Sequence, residues 1–160
     1  MDKIFLNLGS GRKKINRMID SVEKQEIRCK MINIDINKDN KPDIVRDLNK
    51  GLPFSDNTID AIFCEHTLEH IQDIRFLIEE IYRVLKPEGV FNYIVPLCTM
   101  GSGGFRHFEH IHFFTEDWHN FFCENAAENN YNCNFHLIKQ EVVKEPDGTY
   151  ILIGQMQKWG

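Results

Sequence analysis

The stretch Ile4-Phe5-Leu6-Asn7-Leu8-Gly9-Ser10-Gly11 decides the fold of this 160-residue chain. Its first five residues form a short, mostly apolar run, which is typical of a buried strand, and the glycines that follow indicate a tight turn. Because glycine has no Cβ, it tolerates positive φ and lets a ligand approach the backbone closely. A strand that ends on such a turn predicts a ligand site at its carboxyl end.

Strands and helices alternate after this turn. Apolar residues recur at helical spacing from Ile15 to Val22 and again from Ile74 to Leu85, and a third helix is predicted after Thr115. The predicted buried face of this third helix consists of Trp118, Phe121 and Phe122. Further strands are predicted at Met31–Ile34, Ile44–Val45, Ile59–Cys64, Val90–Val95, Phe135–Val143 and Thr149–Ile153.

This alternation predicts an α/β, Rossmann-like fold over residues 1–160, which we expect to form one domain. The sheet should be mostly parallel, with an antiparallel hairpin at its C-terminal end, because Glu145-Pro146-Asp147-Gly148 separates the last two strands. In such sheets, ligands bind beyond the carboxyl ends of the strands. Gly9, Asp35, Asp47 and His66 all follow predicted strands and should therefore meet at that edge.

Five segments together carry a resemblance to a known family. They are Leu6–Gly11, Asn33–Ile36, Asp47–Leu48, Leu52–Asp60 and Leu68–Gly89. In order and character these segments resemble the motifs of the class I S-adenosylmethionine-dependent methyltransferases, particularly the small type 11 group. The resemblance covers about Ile4 to Pro96. It implies a methyltransferase fold with S-adenosylmethionine as cofactor and S-adenosylhomocysteine as product.

The resemblance also implies which residues bind the cofactor. The glycine turn would face the methionine part, Asp35 the ribose, Ile36 the adenine ring and Asp47 the adenine amino group. From chemistry alone, a carboxylate at the end of the second strand can accept hydrogen bonds from both ribose hydroxyls. The complete implied set is Gly9, Ser10, Gly11, Asp35, Ile36, Asp47, Leu48, Glu65 and His66.

Candidate catalytic residues lie in the glycine- and histidine-rich loop from Met100 to Phe114. Methyl transfer from a sulfonium needs an aligned nucleophile, and it needs a base only if that nucleophile arrives protonated. Histidine titrates near neutral pH, so we predict His107 and His110 as the catalytic pair. The alternative is that these histidines, like His112, are hydrogen-bonded structural residues.

Three other functions compete with this interpretation. His66-Thr67-Leu68-Glu69-His70 fits a zinc-peptidase pattern, but it bridges a strand end and a helix start, so we expect no bound metal. A nicotinamide dehydrogenase would need glycine at Lys14. The third alternative is a catalytically weak or inactive scaffold of the same fold, which the charged residues after Gly11 favour.

Composition restricts the compartment and the partners. The net charge of −5, and a fourth strand that ends in Cys64-Glu65-His66-Thr67 without a base-methyltransferase signature, disfavour nucleic acid. No apolar run is long enough to span a membrane, and five cysteines without C-x-x-C spacing favour a cytoplasmic protein. We expect a small-molecule or protein substrate. No helices precede Ile4 to cover the site, so the substrate pocket is expected either to be open or to be completed by a partner subunit or a second copy.

Overall fold

Seven strands form one sheet in a computed structural model, which describes residues 2–12, 14–15, 18–19, 26–101, 103–123 and 126–160. The strands are β1 Lys3–Leu8, β2 Cys29–Asp35, β3 Ile44–Val45, β4 Ile59–Glu65, β5 Leu85–Pro96, β6 Phe135–Lys144 and β7 Tyr150–Lys158. Their order across the sheet is β3-β2-β1-β4-β5-β7-β6. The first strand of the chain therefore lies near the middle of the sheet.

The sheet is parallel from β3 to β5 and antiparallel beyond β5. This arrangement confirms the predicted Rossmann-like α/β fold with its antiparallel C-terminal hairpin. The strand order reverses on the two sides of β1, because β2 lies on one side and β4 on the other. The carboxyl ends of β1, β2 and β4 thus meet at a switch point, where sheets of this kind bind ligands.

The helix α1, Ile74–Val84, matches the strongest helical pattern of the sequence. Asp73 begins it, because its carboxylate accepts a hydrogen bond of 2.9 Å from the Phe76 amide. Leu77, Ile78, Ile81 and Val84 are fully buried against the sheet. The helix ends where Leu85 adopts an extended conformation and starts β5.

The predicted helix after the glycine turn is wrong where the structure describes it. Met18–Ile19 forms a two-residue strand that pairs with Glu26–Ile27, and Val22 lies outside the described residues. Ile15 explains part of the difference. Its amide donates to Asn33 Oδ1 at 3.2 Å and its carbonyl accepts from Asn33 Nδ2 at 3.3 Å, so a side chain occupies backbone groups that a helix would use.

The predicted third helix is reduced to one 3₁₀ turn, Trp118–Phe121. Thr115 does not cap it, because its hydroxyl donates to the Asp117 carboxylate instead. Trp118 and Phe122 are buried as predicted, whereas Phe121 is 52% exposed. Other 3₁₀ turns are Lys38–Asn40, Leu48–Lys50, Leu68–His70 and Gly103–Phe105. Within the described ranges, no helix has both the length and the apolar character that crossing a membrane requires.

Candidate active site

The first part of the site is a cavity of about 350 Å³ at the carboxyl ends of β1, β2 and β4, which we call the cofactor-side cavity. Six of the nine predicted cofactor residues line it: Gly9, Asp35, Ile36, Asp47, Leu48 and His66. The sheet topology brings them together, because each follows or closely follows a strand that ends at this edge.

The glycine turn fits closely against the segment after β4. Gly9 and Gly11 have φ values of +64° and +52°, which favour glycine. A Cβ on Gly9 would lie 2.0 Å from Thr67 Oγ1, whereas a Cβ on Gly11 would meet nothing within 4 Å. Gly9 is therefore required for close packing, and Gly11 mainly for its backbone conformation.

Ser10, between the two glycines, is nearly fully buried. Its amide donates to the Ile34 carbonyl at 3.0 Å, which ties the turn to β2. Its hydroxyl is buried and has no hydrogen-bond partner in the part of the chain that the structure describes. A buried hydroxyl without a partner is costly and is expected to bond a ligand or water.

Asp35 holds three chain segments together at the end of β2. One carboxylate oxygen accepts from the Gly11 amide at 2.7 Å, and the other accepts from the Asn37 amide at 2.7 Å and from Asn40 Nδ2 at 3.3 Å. A carboxylate has about four acceptor positions. Asp35 therefore retains about one for a ligand hydroxyl, and a second hydroxyl would have to displace an internal donor, most readily the longer bond from Asn40.

The outer wall of this cavity combines one charged and two apolar side chains. Asp47 accepts hydrogen bonds from the side chain and the backbone of Asn49, both at 3.0 Å, and these bonds hold the pKa of its carboxyl below the usual value. Leu48 is buried beneath it, while Ile36 is 67% exposed at the cavity. The wall thus offers an anionic acceptor beside an apolar surface suited to a flat ring.

A second cavity of about 360 Å³, which we call the histidine-side cavity, lies directly beside the first. The two cavities share His66, His70 and Glu109. Both predicted catalytic histidines, His107 and His110, line the histidine-side cavity, and their rings lie 5.1 Å apart between centroids. The loop after β5 therefore covers the region next to the cofactor-side cavity.

Backbone hydrogen bonds hold this loop in place. The amides of Ile111 and His112 donate to the Glu69 carbonyl at 2.9 and 3.3 Å. The His112 ring donates from Nε2 to the Ile71 carbonyl at 2.7 Å, so this histidine has the structural role that the sequence left open. These bonds join residues about 40 positions apart in the chain.

Comparison with known proteins decides the family. A model of the methyltransferase domain family matches residues 6–92, which is more than half of the chain. The chain belongs to the methyltransferase domain family. The matched residues of this methyltransferase domain contain the glycine turn, Asp35, Asp47 and the shared residues His66 and His70.

Curated relatives match the methyltransferase domain over shorter segments. The ubiquinone/menaquinone biosynthesis C-methyltransferase UbiE of Desulfotalea psychrophila is 47% identical over 45 residues, which are 28% of this chain and 18% of UbiE. The chain spans less than a quarter of the length of each curated relative that it matches.

Solved structures resemble the methyltransferase domain along its whole length. A methyltransferase in complex with the Haloferax volcanii Trm112 methyltransferase activator superposes with a TM-score of 0.71 at 14% identity, covering 100% of this chain and 84% of that one. The Burkholderia thailandensis 1,6-didemethyltoxoflavin-N1-methyltransferase, solved with its substrate and S-adenosylhomocysteine, gives 0.67 at 16% identity, covering 99% and 72%. At such identities the likeness establishes the fold.

The two predicted cofactor residues at and after the end of β4, Glu65 and His66, lie in different surroundings. His66 adopts a left-handed φ of +47°, and its Nδ1 lies 3.6 Å from the Glu69 carboxylate, which raises the pKa of His66. Glu65 lines neither of the two site cavities and faces a smaller cavity with Asn7 and Tyr93. The structure therefore keeps His66 in the predicted group and separates Glu65 from it.

The sequence missed several residues of the methyltransferase domain that shape both cavities. Thr67 packs on Gly9, and Arg46 lies at the outer wall, where its Nε donates to the Gly51 carbonyl at 2.9 Å. Glu109 belongs to the loop after β5 and lines both cavities. Glu69 was part of a recognised pattern, but only the structure shows that its carboxylate is buried, with 1% of the residue exposed.

Proposed function

We propose that this protein transfers a methyl group from S-adenosylmethionine to a small molecule or a protein side chain. The observation that carries the proposal is the arrangement of the two cavities. The cofactor-side cavity collects six predicted cofactor residues, and the histidine-side cavity, which contains His107 and His110, shares a wall with it. Cofactor and acceptor can therefore bind side by side without a further element of the fold.

The described residues fit the cofactor in three respects. Asp35 retains an acceptor position for a ribose hydroxyl. Ile36 and Asp47 offer an apolar surface and an acceptor for an adenine ring. When bound, S-adenosylmethionine supplies an electrophilic methyl group on a sulfonium.

The chain's own residues would position the acceptor and accept its proton. The His110 Nδ1 lies 3.0 Å from the Gly104 carbonyl, and this bond orients its ring in the cavity. His107 is exposed beside it, and we assign it as the general base for an acceptor that arrives protonated. Glu109 lies between the two cavities and would limit the access of water to the transfer step.

A partner subunit or a second copy of the chain would cover the loop from Met100 to Phe114, which lines the histidine-side cavity. Phe105, Phe108 and Phe113 are 60%, 95% and 51% exposed on this loop. Apolar side chains grouped on a surface are typical of interaction sites. The methyltransferase of the Haloferax volcanii complex, which shares this fold, is bound to an activator protein, and that observation supports a covered site here.

Calorimetry with S-adenosylhomocysteine tests the cofactor assignment. The wild-type protein should bind, and Asp35→Asn should weaken binding by about 1–3 kcal/mol, the range for leaving buried polar groups poorly paired. Asp39→Asn is the matched control, because Asp39 is an exposed carboxylate in the next turn of the chain. Equal affinity in the Asp35 variant would contradict the ribose assignment. Absence of binding in the wild type would favour the scaffold alternative.

A second experiment tests the acceptor side. His107→Ala should lower the formation of S-adenosylhomocysteine by about 10²–10⁴-fold with protonated acceptors drawn from a hydroxyl, amine and thiol panel. The affinity for S-adenosylhomocysteine should stay within about 0.5 kcal/mol. His136→Ala is the control, since His136 lies on β6 outside both cavities. Normal turnover in His107→Ala would remove this residue from the mechanism.

A further inference from the structure

Glu69, His70 and His110 bring three potential metal ligands together in the histidine-side cavity. One ligand atom from each residue lies within 4.8 Å of the ligand atoms of the other two. All three residues line the same cavity. The cluster joins two sequence patterns, because Glu69 and His70 follow β4 whereas His110 belongs to the loop after β5.

The hydrogen bonds of the two histidines select one tautomer of each neutral ring. His70 Nδ1 lies 3.2 Å from the Glu109 carbonyl, and His110 Nδ1 lies 3.0 Å from the Gly104 carbonyl. A carbonyl oxygen only accepts, so each Nδ1 must carry the proton and each Nε2 presents a lone pair. Metal-binding histidines are typically held in this way, with the second ring nitrogen donating to a carbonyl or carboxylate.

The Glu69 carboxylate gives an independent indication of a ligand. Only 1% of the residue is exposed, and its Oε2 has no hydrogen-bond partner among the described residues. Its other oxygen, Oε1, lies 3.6 Å from His66 Nδ1. A buried carboxylate oxygen without a donor is costly unless a cation or a donor reaches it. A cation held by the two histidines would satisfy this oxygen.

The fold keeps the three ligands near one another. The Glu69 carbonyl accepts from the amides of Ile111 and His112, which places His110 beside the turn that carries Glu69 and His70. The His70 and His110 rings lie 5.0 Å apart between centroids, in an edge-on arrangement. Neither of these two rings is fully buried, and the ligand atoms already lie within 4.8 Å of one another.

We propose that Glu69, His70 and His110 bind a divalent transition-metal ion of the zinc type. Two imidazoles and one carboxylate are ligands that Zn²⁺ accepts, whereas Mg²⁺ prefers oxygen ligands alone. Three protein ligands leave a fourth position open, as in catalytic rather than structural zinc sites. This position faces the histidine-side cavity, where water or an oxygen or sulfur atom of the acceptor completes the coordination.

This proposal goes beyond methyl transfer and departs from the expectation drawn from sequence. The sequence offered the pattern His66-Thr67-Leu68-Glu69-His70, which bridges a strand end and a helix start, and, separately, the histidine-rich loop from Met100 to Phe114. The structure combines parts of both and leaves His112 out, because its Nε2 donates to the Ile71 carbonyl. Spacing within one segment could not have indicated a site built from two.

The test is zinc binding by the purified full chain. After metal is removed with a chelator, titration with Zn²⁺ followed by desalting and elemental analysis should give about one ion per chain. His70→Ala and His110→Ala should each weaken binding at least tenfold, since both remove a ligand. Glu69→Gln should do the same, and the two histidine variants keep the test valid if this buried substitution prevents folding. Co²⁺ should produce a visible absorption band that is lost in the same variants.

Controls separate this site from other sources of binding. His136→Ala should bind Zn²⁺ like the wild type, because this histidine lies on β6, away from the cluster. Mg²⁺ should bind at least a hundredfold more weakly than Zn²⁺. Stoichiometric zinc that persists in both His70→Ala and His110→Ala, or the absence of zinc in the folded wild type, would overturn the proposal. Binding of S-adenosylhomocysteine is measured separately on the metal-free wild type, so either proposal can fail alone.

Discussion

The two cavities of this methyltransferase domain are built in different ways. The cofactor-side cavity is formed by neighbouring strand ends, and hydrogen bonds within the chain already occupy most of the acceptor positions of Asp35. The histidine-side cavity depends on contacts such as that of His112 with Ile71, 41 positions away, and it leaves Glu69 Oε2 without a partner in the described ranges. The cofactor-side cavity is therefore held by internal hydrogen bonds. The histidine-side cavity is formed by a loop that packs over side chains whose hydrogen bonds are incomplete.

The largest effect is expected at the glycine turn, where Gly9 lines the cofactor-side cavity. Gly9→Ala would place a Cβ 2.0 Å from Thr67 Oγ1 at a φ of +64°. Overpacking and the left-handed conformation together should lower the free energy of unfolding by about 3 kcal/mol. Chemical denaturation measures this change. Gly11→Ala, which meets no atom within 4 Å, should cost only about 1 kcal/mol. Equal losses in the two variants would contradict the role given to Thr67.

A smaller effect should be confined to the cofactor side. Glu80 accepts from Arg83 and from the Leu52 amide, at 2.6 and 2.9 Å, and so anchors the segment after the turn that carries Leu48. The hydrogen bond from Arg83, with a further contribution from Leu52, holds the pKa of Glu80 below its usual 4.5. Its contribution to stability is therefore present above about pH 4.5 and is lost as pH falls through the lower folded-state pKa.

Glu80→Gln tests this anchor. The variant should lose about 2 kcal/mol of stability at pH 7, and its stability should fall less than that of the wild type between pH 5 and pH 3. Thermal unfolding across this range measures both effects. Glu141→Gln on β6 is the control, because Glu141 is an exposed carboxylate away from the cavities. If the stability of the wild type and of Glu80→Gln changed with pH in the same way, Glu80 would not stabilise the cofactor side as described.

The smallest loss of stability is expected at the histidine-side cavity. His112→Ala removes the hydrogen bond to the Ile71 carbonyl and should cost about 1 kcal/mol of stability. The affinity for S-adenosylhomocysteine should stay within about 0.5 kcal/mol, because the loop contacts the cofactor-side cavity only where the two cavities adjoin. His136→Ala gives the reference for a surface histidine. A tenfold loss of affinity in His112→Ala would mean that the two cavities act as one site.

Local patterns predicted much of this molecule. The sheet, α1 and the hairpin follow from short-range periodicity, and Gly9, Asp35 and Asp47 lie together as expected because strand ends meet at one edge of a parallel sheet. The helix after the glycine turn was predicted wrongly at Met18–Ile19, and just before it the Ile15 amide donates to Asn33 and the Ile15 carbonyl accepts from Asn33, in place of helical bonds. The helix propensity of this segment gives no information on Asn33, which lies far away in the sequence.

The histidine-side cavity was predicted only in part for the same reason. His107 and His110 were chosen by residue type, and the structure shows that both line the histidine-side cavity. The proximity of His110 to Glu69 depends on backbone bonds between distant segments, and no spacing within either segment encodes it. Glu65 shows the opposite problem, because it follows the right strand but faces a different cavity.

The position of β7 has a consequence for synthesis on the ribosome. This strand lies between β5 and β6, although it follows both in the chain. One edge of β5 therefore stays unpaired until β7 emerges about 50 residues later, a delay of roughly 3–10 s at 5–20 residues per second. An open edge of this kind invites pairing with other nascent chains. A fragment that stops at Pro96 would retain the matched family residues and carry that open edge permanently, so we expect it to depend on chaperones or to aggregate.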